Sequence, residues 1–406
     1  MTVEPAAAGA VRPCPQCGGR SVSLIHKGRF VLPEVHPLEP VVQVVACTEC
    51  GQCFNDTANT RADYDRYYRE VSKYADPRLS SGAGAAAEDR QRLDELAGSI
   101  ADYAGRLDGS VLDVGCGAGG LLDSLRTVGF TSLAGMDPSP ACATEVSRRG
   151  HRGLVGTLDD HALDPGETFS GVVLSHVMEH VCDVPAALAA VSKLVAPDGW
   201  LYVEVPDATR YAECLIAPFQ DFNLEHINHF SSESLGNVLR AHGWRIDRAG
   251  GKTLALPQGR GYPAIYAFAR WADSLTPSRD DVVRESLADY VAQSSRMMGA
   301  IDRRLQKYAI GRPIAVWGVG QLTMRLLGET SLGRAEIAVF VDSNPIHQGR
   351  TLAGRKVVAP QQVSRHVGPA VPILIGSLVN LESIERSIRH AGIHNPILRL
   401  DVEGGA

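Results

Sequence analysis

Val111-Leu112-Asp113-Val114-Gly115-Cys116-Gly117-Ala118-Gly119-Gly120 decides the fold, because an apolar run carrying one carboxylate passes directly into a glycine-rich turn. A strand, such a turn and then a helix form a ligand cradle, in which glycines let a ligand approach the backbone closely. Upstream, Leu93, Leu96, Ile100, Tyr103 and Leu107 recur at helical spacing and predict an amphipathic helix. Downstream, Ser132 to Met136 reads as a second strand. It ends in Asp137, 22 residues after Gly115, where a carboxylate can accept both hydroxyls of a ribose. Gly171 to Ser175 is a further strand, running into His176-Val177-Met178-Glu179-His180. A helix then leads to the turn Pro197-Asp198-Gly199 and the strand Trp200 to Pro206. This alternation predicts a doubly wound α/β sheet.

The chain has 406 residues, too many for one core, so two or three domains are expected. Lys and Arg total 40 against 46 Asp and Glu, a net charge of -6 that disfavours a general nucleic-acid binder. Met1 to Val11 lacks the basic lead and apolar core of a signal peptide, and no apolar run is long enough to span a bilayer. A soluble, cytoplasmic protein without a membrane partner is expected.

Of nine cysteines, five precede residue 54, and four of these form the pairs Cys14-Pro15-Gln16-Cys17 and Cys47-Thr48-Glu49-Cys50, each followed by glycine. Two such knuckles supply four thiolates for a tetrahedral zinc ion, and Val41 to Ala46 between them reads as a strand, so a zinc ribbon is expected. A closed four-thiolate site points to structural zinc, with redox dithiol chemistry the alternative. Cys53 reads as a small buried residue beside Phe54, or as a substitute ligand. The Tyr-rich stretch Tyr64 to Tyr74 and the Gly/Ala-rich Ser80 to Ala87 suit a lid over a site or a plain linker helix.

Toward the C-terminus, Leu287, Tyr290, Val291, Met298, Ile301 and Leu305 keep a helical stripe. The strands Ile314 to Trp317, Ile337 to Val341, Val371 to Ile375 and Ile397 to Leu400 then predict a second α/β domain. Gly318, Gly320 and Asp342 would suit a second nucleotide; a degenerate copy used for packing fits the pattern equally.

Together the central motifs resemble the class I S-adenosylmethionine (SAM)-dependent methyltransferases over roughly Leu96 to Arg270. With the ribbon, the Tyr-rich stretch and the C-terminal segment Val341 to Arg350, nearly the whole chain resembles the sugar C-methyltransferases of antibiotic deoxysugar pathways. The expected architecture is a zinc ribbon with aromatic lid (11–79), a class I Rossmann-like core (85–272), a connecting helix (276–308) and a C-terminal Rossmann-like domain (311–402). The resemblance implies that Asp113, Gly115, Gly117 and Gly119 surround the methionine part of SAM, Asp137 its ribose, and Thr157 and Leu158 its adenine. It implies a nucleotide-linked 4-keto-deoxysugar as acceptor, deprotonated beside the ketone before methyl transfer.

Carbon methylation beside a carbonyl needs a base and a donor for enolate charge. Glu225-His226 matches the second half of the family's Tyr-His-Glu-His motif, which implies His226 as base, with Glu225 as its partner or orienting group. His180, at a strand end, is a second acid/base or a substrate contact, or caps the following helix. Asn223 and Leu224 depart from the motif and remove a phenol, for which Tyr74 is the expected replacement. His226 or His229 also suits a structural role under the helix begun by Ser231, and a metal at that pair lacks an evident carboxylate. O- or C-methylation of another natural-product metabolite is the alternative function; an RNA methyltransferase using the ribbon, or an NAD-binding protein with a vestigial core, are more distant ones.

Overall fold

Val111, Leu112, Val172, Val173, Leu174 and Val203 are all fully buried, so their strands have no solvent face and belong at the centre of a sheet covered on both sides. In chain order the elements are β1 (Val22–Arg29), β2 (Val41–Cys47), β3 (Cys53–Asn55), α1 (Arg61–Glu70) and α2 (Ala87–Ala104). There follow β4 (Ser110–Val114), α3 (Gly120–Val128), β5 (Ser132–Asp137), α4 (Pro140–Arg148), β6 (Arg152–Val155), β7 (Phe169–Ser175), α5 (Val184–Leu194) and β8 (Val195–Pro206). Next come β9 (Asn228–His229), α6 (Ser232–Ala241), β10 (Trp244–Leu256), β11 (Arg260–Trp271) and α7 (Val282–Tyr308). The C-terminal part contains β12 (Pro313–Trp317), α8 (Gln321–Glu329), β13 (Glu336–Val341), β14 (Thr351–Leu352), β15 (Arg355–Val358), α9 (Val363–His366), β16 (Ile373–Ile375), α10 (Leu381–His390) and β17 (Ile397–Leu398). This computed structural model describes residues 9–71, 84, 87–161, 163–256, 260–272 and 277–401. Among them no helix is long and apolar enough to cross a membrane.

The central sheet has the order β10-β11-β8-β7-β4-β5-β6. β4 pairs in parallel with β5 and β7, and β7 with β8, while β11 runs antiparallel to both β8 and β10. This is the expected class I Rossmann-like core. Its strand order reverses between β4 and β7, the place where open α/β sheets hold ligands. One face carries Leu112, Val172, Leu174 and Val203, covered by Leu188 and Val191 of α5 and Leu235 and Val238 of α6. The other carries Val111, Val173, Tyr202 and Phe268 against Leu93, Leu96 and Ile100, the stripe read from the sequence.

A second Rossmann-like sheet has the order β14-β15-β13-β12-β16-β17. Its four expected strands are β12, β13, β16 and β17; the short β14 and β15 were not foreseen, since two to four residues carry no period. The ribbon strands form a third sheet, β1-β2-β3-β9, in which Cys53 faces His229 and Phe54 faces Asn228.

The chain divides into one unit of Met1–Ile25, Val44–Cys214 and Glu225–Leu287 and a second of His26–Gln43, Leu215–Leu224 and Ala288–Ala406. The hairpin tip after β1 and the loop before Glu225 therefore join the C-terminal unit, and α7 is shared. Inside that unit the buried Arg325 stacks on Phe30 at 4.5 Å and on Phe219 at 5.2 Å, and donates to the Phe222 carbonyl. Glu329, its ion-pair partner at 3.3 Å, also accepts the Arg29 amide at 2.6 Å. Three distant segments thus close round one cation, a contact set that no local pattern announces.

Glycine substitutions separate packing from helix propensity. A Cβ at Gly171 in β7 would lie 2.1 Å from the Trp200 ring, whereas one at the exposed Gly98 in α2 meets nothing within 4 Å. Gly171→Ala is expected to cost about 1–3 kcal/mol. Gly98→Ala should stabilise by up to about 1 kcal/mol. Urea midpoints compared with the parent protein check both signs.

Candidate active site

The turn after β4 is built by three glycines whose φ angles, +70° at Gly115, +51° at Gly117 and +81° at Gly119, lie in the left-handed region. A Cβ at Gly115 would come within 2.8 Å of Val177, so the turn after β4 packs against the turn after β7. Asp137 fixes the far side: one carboxylate oxygen accepts the Gly117 amide at 2.9 Å and the other the Ser139 amide at 2.8 Å. Asp113 and Asp137 are 4% and 7% exposed. Burial, then the proximity of Asp137, pushes Asp113 up to about 8; burial pushes Asp137 up to about 6. Two desolvated carboxyls beside left-handed amides fit a ligand that brings an ammonium group and ribose hydroxyls, as SAM does. Leu158 is buried nearby in sequence, and Thr157 accepts from Arg61 of α1 at 3.3 Å, with Arg61 also paired to Asp159 at 2.9 Å.

Beyond β7 the candidate catalytic residues converge. His180 and His226 meet edge to face with ring centroids 5.0 Å apart. His180 Nδ1 lies 3.0 Å from the Glu225 carbonyl and 3.0 Å from the Tyr68 hydroxyl. A carbonyl only accepts, so Nδ1 carries a proton. The Tyr67 hydroxyl donates to Glu225 Oε1 at 2.7 Å. Glu225, His226 and His180 thus lie together, with α1 supplying two phenols. Tyr74 lies outside the described residues, as does most of the Ser80 to Ala87 stretch.

Four acidic or basic groups, Glu179, His176, Glu204 and Lys252, were given no role in the sequence reading. Glu179 is buried; its Oε1 is 3.1 Å from His176 Nδ1 and 3.9 Å from His180 Nε2, while Oε2 meets no hydrogen-bond partner among the described residues. Donor atoms of Glu179, His180 and His226 lie within 4.8 Å of one another, so a carboxylate does stand beside the histidines. That set suits acid–base work or a divalent cation, and the bond from Oε1 to His176 favours the former. His176 itself adopts φ +56°, rare for a side-chain-bearing residue. Its Nε2 is 3.2 Å from Glu204, which also binds Lys252 and accepts the Tyr202 hydroxyl at 2.5 Å. Burial works against the His176 charge, yet Glu179 and Glu204 raise it to about 9. Burial likewise opposes the Glu204 charge, but His176 and Lys252 hold that carboxylate far below its ordinary range. The spacing of His176 and Glu179, three apart on one turn, was the available signal. A cavity of about 360 Å³ lined by Arg92, Tyr202, Lys252 and Tyr266 adjoins this network.

His229 behaves differently. It is fully buried, its Nδ1 sits 3.4 Å from the Tyr211 hydroxyl, and burial, with Arg12, lowers it to about 3. It is a neutral core residue, one of the two roles expected for this pair. Asn223 donates to the Gln220 carbonyl at 3.0 Å and Leu224 is buried, so both departures from the motif serve the local turn.

In the ribbon, Cys14 and Cys50 Sγ atoms are 3.5 Å apart and those of Cys17 and Cys47 3.6 Å apart, with all four within 4.8 Å. Tetrahedral zinc with bonds of about 2.3 Å sets sulfurs roughly 3.8 Å apart, so the thiols fit the ion. Gly18 (φ +74°) and Gly51 (φ +86°) turn the two knuckles. Cys53 stands apart, buried, its Sγ 3.5 Å from the Gly51 carbonyl.

Comparison with known proteins matches residues 87–249 to a methyltransferase domain family. The chain is 26% identical over 315 residues to the C-methyltransferase NovU of Streptomyces niveus, covering 71% of each. It is 34% identical over 113 residues to a ubiquinone biosynthesis O-methyltransferase of Rhizobium rhizogenes, spanning 44% of that protein and 26% of this chain. Among solved structures, a Burkholderia thailandensis 1,6-didemethyltoxoflavin-N1-methyltransferase aligns at 18% identity with a TM-score of 0.39, over 56% of this chain and 98% of that one.

The raised Asp113 has a signed consequence for stability. Unfolded, the carboxyl loses its proton near pH 4. Folded, it keeps the proton to about pH 8, so stability falls as pH rises across that window. Asp113→Asn removes this loss: its urea midpoint should exceed the parent's by more than about 1 kcal/mol equivalent at pH 8 and converge with it near pH 4. Calorimetry should show weaker SAM binding by the same variant.

Proposed function

We propose that this SAM-dependent methyltransferase acts on a small activated metabolite, a nucleotide-linked keto-deoxysugar, and methylates carbon through an enolate. One observation carries the reading: His226, His180, Glu179, Glu225 and two tyrosine hydroxyls gather beyond the carboxyl end of β7, beside the glycine turn. The 26% identity to a protein named as a C-methyltransferase supports carbon as the acceptor atom.

Bound SAM supplies the methyl group as an electrophilic sulfonium carbon. Asp113 and Asp137 hold its amino-acid and ribose parts, Gly115, Gly117 and Gly119 let it approach the backbone closely, and Thr157 and Leu158 border the adenine. His226 accepts the proton from the carbon beside the acceptor's ketone. The electron pair left behind becomes the enolate, whose oxygen is met by the Tyr68 hydroxyl, while His180, its Nδ1 held by the Glu225 carbonyl, contacts the acceptor. Glu225, held by Tyr67, orients His226. When carbon takes the methyl, the ketone re-forms, S-adenosylhomocysteine departs and the His226 proton passes to solvent. Tyr68, rather than the absent phenol at position 223, then supplies the oxyanion donor, with Tyr74 a second contributor. Four thiolates close the zinc coordination sphere, which assigns that ion to structure and not to reaction.

The turn-forming Asn223 and the buried Leu224 favour one competing reading, O- or C-methylation of a different metabolite in the same pocket.

Incubation with SAM and a panel of dTDP-linked 4-keto-deoxysugars in deuterated water, followed by mass spectrometry, tests the acceptor. Methyl gain with deuterium at the neighbouring carbon is expected; neither, with SAM binding intact, removes the sugar reading. His226→Ala should lower kcat by about 10²- to 10⁴-fold with SAM affinity retained. A variant of full activity removes His226 from the mechanism. Plasma mass spectrometry of the purified protein should find one zinc per chain, lost in a Cys14→Ser, Cys47→Ser double variant.

A further inference from the structure

Arg12 lies two residues before Cys14 and is only 6% exposed, yet among the described residues no carboxylate forms an ion pair with its guanidinium. A buried cation whose partners are neutral dipoles costs stability, so its contacts call for a reason. Nη1 donates to the carbonyls of Asn55 at 3.3 Å and Ile227 at 3.2 Å, and Nη2 donates to Asn228 Oδ1 at 2.8 Å. The Asn228 amide group in turn donates to the carbonyls of Met178 at 2.8 Å and Val181 at 2.9 Å, on either side of Glu179 and His180. The Ile227 amide donates to the Glu179 carbonyl at 2.7 Å. From the ribbon, β3 pairs with β9, and the Gln52 side chain donates to the His229 carbonyl at 2.9 Å.

These bonds share one outcome. The chain segment carrying His226 and the turn carrying His180 are joined to each other by Ile227 and Asn228, and the Arg12 guanidinium, alongside the β3–β9 pairing and Gln52, ties both of those residues to the ribbon. We propose that Arg12 is a positioning residue that sets the separation of His180 and His226, making the ribbon part of the catalytic apparatus. Arg12 touches neither acceptor nor cofactor in this scheme; it acts through Ile227 and Asn228. The chemistry assigned to the histidines rests on the function proposed above, while their alignment by Arg12 does not.

The test uses the full-length, zinc-loaded protein and the variants Arg12→Lys, Arg12→Met and Asn228→Asp. Arg12→Lys keeps the charge but loses the planar fork that reaches three acceptors. Asn228→Asp keeps the acceptor for Arg12 but removes the donors to Met178 and Val181. Hydrogen exchange followed by mass spectrometry reads the amides of 178–181 and 226–229; calorimetry reads SAM binding, and plasma mass spectrometry reads zinc. All three variants should exchange faster in those two segments alone, with SAM affinity and zinc content unchanged. On an acceptor the parent turns over, kcat should fall about 10- to 100-fold with little change in KM, Arg12→Lys the least affected. Unchanged exchange in both segments, or unchanged kcat in all variants, overturns the proposal. Should Arg12→Met fail to fold, Arg12→Lys and Asn228→Asp decide alone. Should the parent methylate no sugar, the acceptor assignment falls and the exchange pattern still decides the role of Arg12.

Discussion

The cradle depends on one buried carboxylate. Asp137 ends β5 and accepts two backbone amides, one from the glycine turn after β4 and one from the start of its own following helix. Each amide would otherwise be left unsatisfied where water is scarce, and the carboxyl would stand desolvated without a partner. The pairing fixes the glycine turn in space before any ligand arrives. The C-terminal sheet repeats the device: Asp342, after β13, accepts the Val319 amide at 2.9 Å and the Asn344 amide at 2.8 Å. There the turn keeps one left-handed glycine, Gly318 at φ +96°, while Gly320 is extended and caps α8. The two Rossmann-like domains thus share the strand-end carboxylate that organises the turn, and differ in how many left-handed glycines the turn carries.

A second constraint lies beside the first. The residue following β7 must leave the sheet abruptly at the point where strand order reverses, and His176 does so in a left-handed conformation that a side chain normally avoids. Strain of this kind persists only where surrounding groups enforce it. Here Glu179 and Glu204 grip the ring from two sides, and Lys252 and Tyr202 bind Glu204 in turn. Two buried carboxylates and two cations balance in charge, which makes the cluster tolerable in the interior. The same Glu179 faces His180, so the strained strand end and the His180–His226 pair belong to one continuous network.

Legibility in the sequence followed the length and regularity of each signal. Asp113, the glycines and Asp137 were readable because a strand, a turn and a carboxylate at fixed spacing leave little freedom to the backbone. Two CxxC pairs announced four converging thiols, and Glu225, His226 and His180 did converge. Missing were the contacts made by residues with no periodicity: β9 spans two residues, Arg12 looks like any charged residue near a terminus, and Arg325 gathers segments some three hundred positions apart in sequence. His176 and Glu179 stood inside a stretch already singled out, but their pairing depends on a backbone angle that sequence does not reveal.

Helix α1 shows how these parts are coupled. Its ten residues begin with a capping box between Thr60 and Asp63, but a helix this short is marginal in water by itself. Tertiary contacts must hold it, and they come from two directions. Arg61 in its first turn reaches Thr157 and Asp159, on the loop assigned to the adenine border. Tyr67 and Tyr68, nearly two turns later, reach Glu225 and His180. A rigid element gripped at both ends transmits order from one to the other: whatever stabilises the Thr157 loop also reduces the freedom of the two phenols.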